Sequence, residues 1–130
     1  MFIFKDEVSV WWPVKVKQPD EKKPGRFIDY EFEVEMRIMD RDELEERGRQ
    51  RAELLEAQDA ADVVLRRVND FDDESWADVI TDWRGVFDED RTEIPFSRAI
   101  LVKALKRPLI RNGIQQAYQD LCSGEVRRKN

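Results

Sequence analysis

The chain contains no histidine. This removes the side chain whose ordinary pKa lies nearest neutrality, and with it the commonest general base and the commonest metal ligand. Its one cysteine, Cys122, excludes an intrachain disulfide and has no histidine to activate it, so it reads as a structural thiol in a cytosolic setting. The five glycines are scattered, and none forms a phosphate-cradling loop behind a strand. No segment approaches the ~20 apolar residues of a membrane span. The opening run Met1-Phe2-Ile3-Phe4 meets charge at Lys5, too early for the apolar core of a signal peptide. Basic residues are not in excess either. A net charge of −6 repels phosphate backbones and anionic lipid alike. The one concentrated basic tract, Arg127-Arg128-Lys129, reads as a solubility tail. These absences predict no catalytic residue, no cofactor, no metal, no nucleic acid and no membrane.

What is present is enough for one domain. With 41% hydrophobic residues the chain can build a core, and with 40% charged residues it keeps a solvated exterior. Two segments alternate: Val8, Val10, Trp12, Val14 and Val16 in the first, and Ile28, Tyr30, Phe32, Val34, Met36 and Ile38 in the second, each reading as a half-buried strand. The polar stretch 18–26, punctuated by Pro19, Pro24 and Gly25, suits a long hairpin connection. On the opposite faces, Lys15 and Lys17 are placed to meet Asp29, Glu31 or Glu33 across the ladder. Phe2 and Phe4 suggest a short extra strand or a plug. Trp11 breaks the alternation and points away from the main apolar face, as an edge-packing residue or a contact site.

A lone hairpin needs a cover, and the remaining chain reads as helices. Asp40 with Glu43 three residues on is a capping-box pattern, flanked by Met39 and Leu44 at staple positions. The helix it opens is predicted to run to about Asn69, with an apolar stripe of Leu54, Ala57, Ala61, Val64, Leu65 and Val68 in its second half. Such a helix would span roughly 40 Å, so either it breaks near Gly48 or its charged half projects. Residues 45–51 are then an exposed face laced by ion pairs, or an arm meeting a second subunit in a homo-oligomer. Next, Asp72 or Asp73 is predicted to cap a short helix carrying Trp76, Val79, Ile80 and Trp83 at helical spacing, with Gly85 at its stop. Ser97 caps another, with Ile100, Leu101, Ala104 and Leu105 inward. Pro108 opens the last, with Ile110, Ile114, Ala117, Tyr118 and Leu121 on one face. Gly113 interrupts that helix at ~1 kcal/mol relative to alanine.

The fold class expected is therefore α+β: an antiparallel hairpin packed against about four helices. One domain spans 1–130, with a hairpin part at 1–39, a helical part at 40–122 and a flexible tail at 123–130.

Residues 83–97 are the densest part of the chain. Trp83-Arg84-Gly85-Val86-Phe87 is followed by an acidic turn, Asp88-Glu89-Asp90-Arg91-Thr92-Glu93, and then by Ile94-Pro95-Phe96-Ser97. The turn lacks the calcium-loop spacing of acidic residues and glycine, and reads as solvated. The bulky residues read either as a docking element or as a connector that fills the core. Partner-binding candidates are Trp11, Trp83, Val86, Phe87, Ile94 and Phe96. Of these, residues 86–96 are the free candidates, since Trp83 is assigned to a helix face.

This segment resembles bacteriophage tail assembly chaperones. The likeness extends along most of the chain: Trp12-Pro13-Val14-Lys15-Val16, Gln18-Pro19, the strand from Phe27 to Met39, the acidic helix start Asp42-Glu43-Leu44, then the 83–97 segment and an apolar helix ending near Tyr118. One departure is Arg91, which stands in the acidic turn where the family often has glycine. The resemblance implies a non-enzymatic protein of the infected bacterial cytoplasm, absent from the finished virion. It would bind the tape measure protein, keep it soluble and help recruit tail tube proteins. It also implies the short, non-frameshifted form of a pair made by ribosomal frameshifting. The alternative is a structural minor tail or head–tail connector protein retained in the virion. If Phe87 and Phe96 are docking residues, replacing both by polar ones should lower tape measure solubility without loss of helix.

Overall fold

In the computed structural model, residues 1–124 are described, and the basic tract 127–129 with most of the expected tail lies outside them. The described residues form β1 (Ser9–Pro19), β2 (Phe27–Arg37), α1 (Arg41–Glu56), α2 (Ala61–Val79), β3 (Ile80–Arg84), α3 (Arg98–Leu105) and α4 (Pro108–Ser123). An antiparallel sheet of order β1-β2-β3 packs one face against helices, an α+β fold with the expected hairpin at its start.

The alternation in β1 and β2 sets their register. Val14 stands opposite Phe32 and Val16 opposite Tyr30, while Lys15 faces Glu31 and Lys17 faces Asp29 on the other side. Pro13 is tolerated because β1 is an edge strand, where a missing N–H breaks no ladder. The core joins Val14, Val16, Val34 and Met36 of the hairpin to Ala77 and Val79 of α2, Leu101 and Leu105 of α3, and Ile114, Ala117 and Tyr118 of α4. It covers only the base of the hairpin. Phe27, Ile28 and Tyr30, nearer the tip, stay exposed despite the continuous alternation. The Ile38 N–H donates to the Val8 carbonyl at 2.9 Å. Before that point the chain leaves the sheet, so Phe2 and Phe4 form neither strand nor plug.

The third strand comes instead from residues expected to be helical. α2 runs unbroken through Asp72 and Asp73, which cap nothing, and passes without a loop into β3. Ile80 lies opposite Met36 and Trp83 opposite Val34, with the register shifting between Glu35 and Met36 so that Thr81 is the extra residue. A bulge of this kind puts two residues three apart on the same face. Ile80 and Trp83 therefore both point into the core from a strand, a spacing that imitates a helix.

The long first helix is also two. It breaks at residues 57–60, not at Gly48, and Ala57 and Ala60 take extended backbone without any glycine or proline nearby. α1 then folds back along α2: the Arg47 guanidinium donates to the Ser75 carbonyl at 2.5 Å and Arg51 pairs with Asp72 at 3.0 Å. The charged residues 45–51 are thus no projecting arm. Asp40 caps α1 as expected, its carboxylate accepting from the Glu43 N–H at 2.9 Å. The reciprocal half of the box does not form, because Glu43 turns to Arg37 at 2.6 and 2.9 Å. Nor does the staple, since Leu44 is exposed.

Ser97 caps α3 through a 3.1 Å bond from the Ile100 N–H, and Pro108 opens α4. Leu101 and Leu105 are buried, whereas Ile100 is exposed. Gly113 proves to be a packing residue. A Cβ there would lie 2.6 Å from the Lys15 carbonyl oxygen and 3.3 Å from the Val14 and Val16 methyls, so α4 approaches β1 this closely only through glycine. The Tyr118 hydroxyl accepts from the Met39 N–H at 3.0 Å, and Trp76 meets the Tyr118 ring edge-on at 5.5 Å. Burial pushes the Tyr118 phenol above its ordinary value.

Candidate binding surface

Trp83 organises the candidate surface from below. It is only 7% exposed, and its indole N–H donates to the Ile94 carbonyl at 2.8 Å. Its ring meets Phe96 edge-on at 5.5 Å and Phe32 at 6.5 Å. Beyond it, Gly85 takes positive φ and ends the strand, which no L side chain does without strain. Residues 86–94 then form a small hairpin: the Ile94 N–H donates to the Val86 carbonyl at 2.8 Å, the Asp88 N–H to the Thr92 carbonyl at 2.9 Å, and Phe87 bridges Glu93.

The acidic turn closes on itself. Asp88 Oδ1 accepts from the Asp90 N–H at 2.9 Å and the Thr92 N–H at 3.0 Å, an Asx arrangement that spends its lone pairs locally. Arg91 adopts φ of 61°, the left-handed conformation that glycine would take without strain. The turn is solvated as expected, residues 88–93 all being exposed, and these local bonds fix its shape. Among the described residues no group of three or more acidic or cysteine side chains is placed to hold a metal ion.

The six candidates separate. Trp83 is a core residue, and Val86, Ile94 and Phe96 pack against the same core, so these four form the wedge that anchors the hairpin. Phe87, 57% exposed, is presented outward by that wedge. Trp11 lies on the open face of the sheet, half-buried, with the Arg84 guanidinium 4.1 Å from its ring centroid. Arg84 in turn makes a forked contact with Glu33 at 3.1 and 3.2 Å. This hydrogen bonding holds Glu33 below its ordinary carboxylate value and raises Arg84.

Sequence reasoning missed two exposed apolar groups: residues 2–4 at the start of the chain, and Phe27, Ile28 and Tyr30 near the hairpin tip. Their alternation was visible, but not where the cover stops. An open cleft of about 610 Å³ also lies between α2 and the α3–α4 junction, with the buried Asp73 paired to Arg111 at its floor. Asp73 reads in sequence as a cap because aspartate is common at helix starts; here it lies within α2 and holds α4 to it. No described helix is long and apolar enough to cross a membrane. Comparison of the chain with family models, with curated proteins and with solved structures returned no match.

Proposed function

We propose that this chain is a non-enzymatic tail assembly chaperone of a bacteriophage, acting in the cytoplasm of the infected bacterium. It binds the tape measure protein and helps to recruit tail tube subunits. The observation that carries the reading is the order of motifs along the chain, from Trp12-Pro13-Val14 to Ile94-Pro95-Phe96-Ser97. The architecture is compatible with binding as the activity. Phe87 is an apolar side chain held in water on a hairpin whose other bulky residues are fixed in the core, so its exposure follows from rigid local structure. Such a residue can seat against the apolar stripe of a client helix without refolding the chaperone.

The test is co-expression with the tape measure protein of the same phage. The wild-type chain is expected to keep that protein soluble, and Phe87→Ser to lower the soluble fraction while leaving the circular dichroism unchanged. Phe96 is unsuited to the same test, because its contact with Trp83 makes its replacement a core change. Undiminished solubility with Phe87→Ser removes Phe87 from the contact surface. Recovery of the chain from purified virions in fixed copy number by mass spectrometry replaces the chaperone reading with that of a structural tail or connector protein.

A further inference from the structure

The chain is acidic overall, with a net charge of −6, yet residues 94–119 carry five cations and no carboxylate. Two of the five are spent inside the molecule: Arg98 pairs with Glu74 and with Asp78, and Arg111 with the buried Asp73. The other three, Lys103, Lys106 and Arg107, are exposed at the junction of α3 and α4 and form no ion pair with any described residue. Lys103 and Lys106 suit the C-terminal end of α3, but Arg107 stands at the start of α4, where the helix dipole disfavours positive charge. Helix dipoles therefore account for only part of the cluster.

Lys106 lines the open cleft of about 610 Å³ between α2 and this junction, together with Pro108 and the 62% exposed Leu65. On the α2 wall Arg66 stands one helical turn from both Asp62 and Asp70 and offsets much of their charge. The excess positive charge lies on the α3–α4 side.

A complementary surface exists on the same chain. α1 exposes Leu44, Gly48, Ala52 and Leu55 along one face at helical spacing. Glu45 and Glu56 flank this seam on one side. Glu56 forms no ion pair with any described residue, and Glu45 only a loose one with Arg41 at 4.0 Å. Gly48 has no positive φ to require glycine, and a Cβ there would meet nothing within 4 Å, although alanine is the better helix former. Gly113 shows what such a residue can do, which is to admit a neighbouring backbone. Beside Gly48 a groove of about 190 Å³ opens onto Met39, Phe71 and Trp76.

We infer that the α1 face of one copy of this chain docks in the cleft of a second copy. The runs Leu44–Leu55 and Asp62–Asp73 each span eleven helical rises, about 16 Å, so seam and cleft wall match in length. The direction follows from charge: α1 ends at Glu56 with no basic residue in its last turn, and that negative end suits Lys106 and Arg107. Leu65 of the cleft wall then enters the groove beside Gly48 as a knob enters a hole. Within one chain this cannot happen, because Arg47 and Arg51 hold α1 to Ser75 and Asp72 on another side of α2. Face and cleft are different surfaces, so the contact is heterologous, and assembly grows with concentration unless a ring closes. The inference stands independently of the chaperone reading.

Sedimentation equilibrium of the full chain under reducing conditions, over roughly 1–200 μM, is expected to show an average mass above that of the monomer. The excess should shrink in about 1 M NaCl, which screens charges beyond ~3 Å. Lys106→Glu and Glu56→Lys should each weaken association about tenfold. Circular dichroism should not change, since both side chains are exposed and unpaired in the monomer. A chain carrying both reversals should associate more tightly than either single variant. Gly48→Leu should abolish association and leave the monomer helical. A wild-type chain that stays monomeric throughout this range overturns the proposal and leaves the cleft to an acidic helix of another protein. An association indifferent to Lys106→Glu, or a double reversal no better than the single ones, overturns it as well.

Discussion

α1 and α4 are both sixteen residues long, yet they are held by different forces. α4 buries Gly113, Ile114, Ala117 and Tyr118, and lies so close to β1 that glycine is required at the crossing. α1 buries none of its residues against the described part of the chain, and is docked by charge. Glu43 joins Arg37 at 2.6 Å and Arg47 at 3.1 Å, Arg47 approaches Asp78 at 3.7 Å, and Arg51 joins Asp72 at 3.0 Å. Apolar burial is insensitive to pH and is not screened by salt, whereas partly exposed ion pairs respond to both. α4 therefore belongs to the cooperative core, and α1 is an element whose attachment can be loosened while the core stays folded.

The largest effect is expected at the α4 crossing. Gly113→Ala gains ~1 kcal/mol of helix propensity but drives a methyl into the Lys15 carbonyl, a backbone group that cannot swing aside. A net loss of about 1–3 kcal/mol is expected by urea denaturation. A more stable variant would mean that α4 does not sit this close to β1.

Next comes Glu43→Gln, which removes the hub of the α1 seat and leaves the half-buried Arg37 with weaker partners. The expected cost is about 1–2 kcal/mol after allowing for partial exposure. It should show as faster amide exchange within α1 and unchanged exchange in α4. Equal acceleration in both helices would show that the two form one cooperative unit.

Acid should act in the same direction and more gradually. Hydrogen bonding to Arg37, followed by the charges of Arg37 and Arg47, holds Glu43 below its ordinary value of 4.5. A carboxylate depressed on folding contributes stability that is complete above the unfolded pKa and lost as pH falls through the folded one. Arg37 stays charged throughout, so the window belongs to the carboxylate. α1 exchange is expected to rise below pH 4.5 relative to α4 in the wild type, and this extra rise should vanish in Glu43→Gln.

The smallest effect is expected from Arg49→Ala. Arg49 bonds Glu46 at 2.6 Å and Glu53 at 2.5 Å, but all three are solvent-exposed and belong to α1 alone. Exposed pairs within one helix contribute little. The denaturation midpoint should stay within experimental scatter, and a clear drop would show that α1 depends on its own helicity as well as on docking.

Much of this architecture can be read in the order of residues, because the forces concerned act within a few positions. Asp40 and Ser97 cap helices through their own third neighbours, Pro108 presets the first turn of α4, and alternation in β1 and β2 follows from the pleat. The cross-strand placement of Lys15 and Lys17 opposite Glu31 and Asp29 follows from the same alternation once the hairpin register is set.

Other features were decided only when distant segments met. Residues 80–84 carry apolar side chains at helical spacing and become a strand because β2 offers a ladder, with the Thr81 bulge reconciling the spacing to the pleat. The break at residues 57–60 has no local breaker, and exists where α1 can turn back to bring Arg47 and Arg51 onto α2. Gly113 looks like a flaw in a helix until β1 stands against it. Trp83 and Phe87, four positions apart, divide into core anchor and exposed contact because only one falls on the face that the helices cover. Caps, turns and periodicity cost and return free energy locally, so the sequence alone specifies them. Strand partners, close crossings and the limit of a core depend on loop closure and on which surfaces fill the space, quantities that exist only in the folded chain.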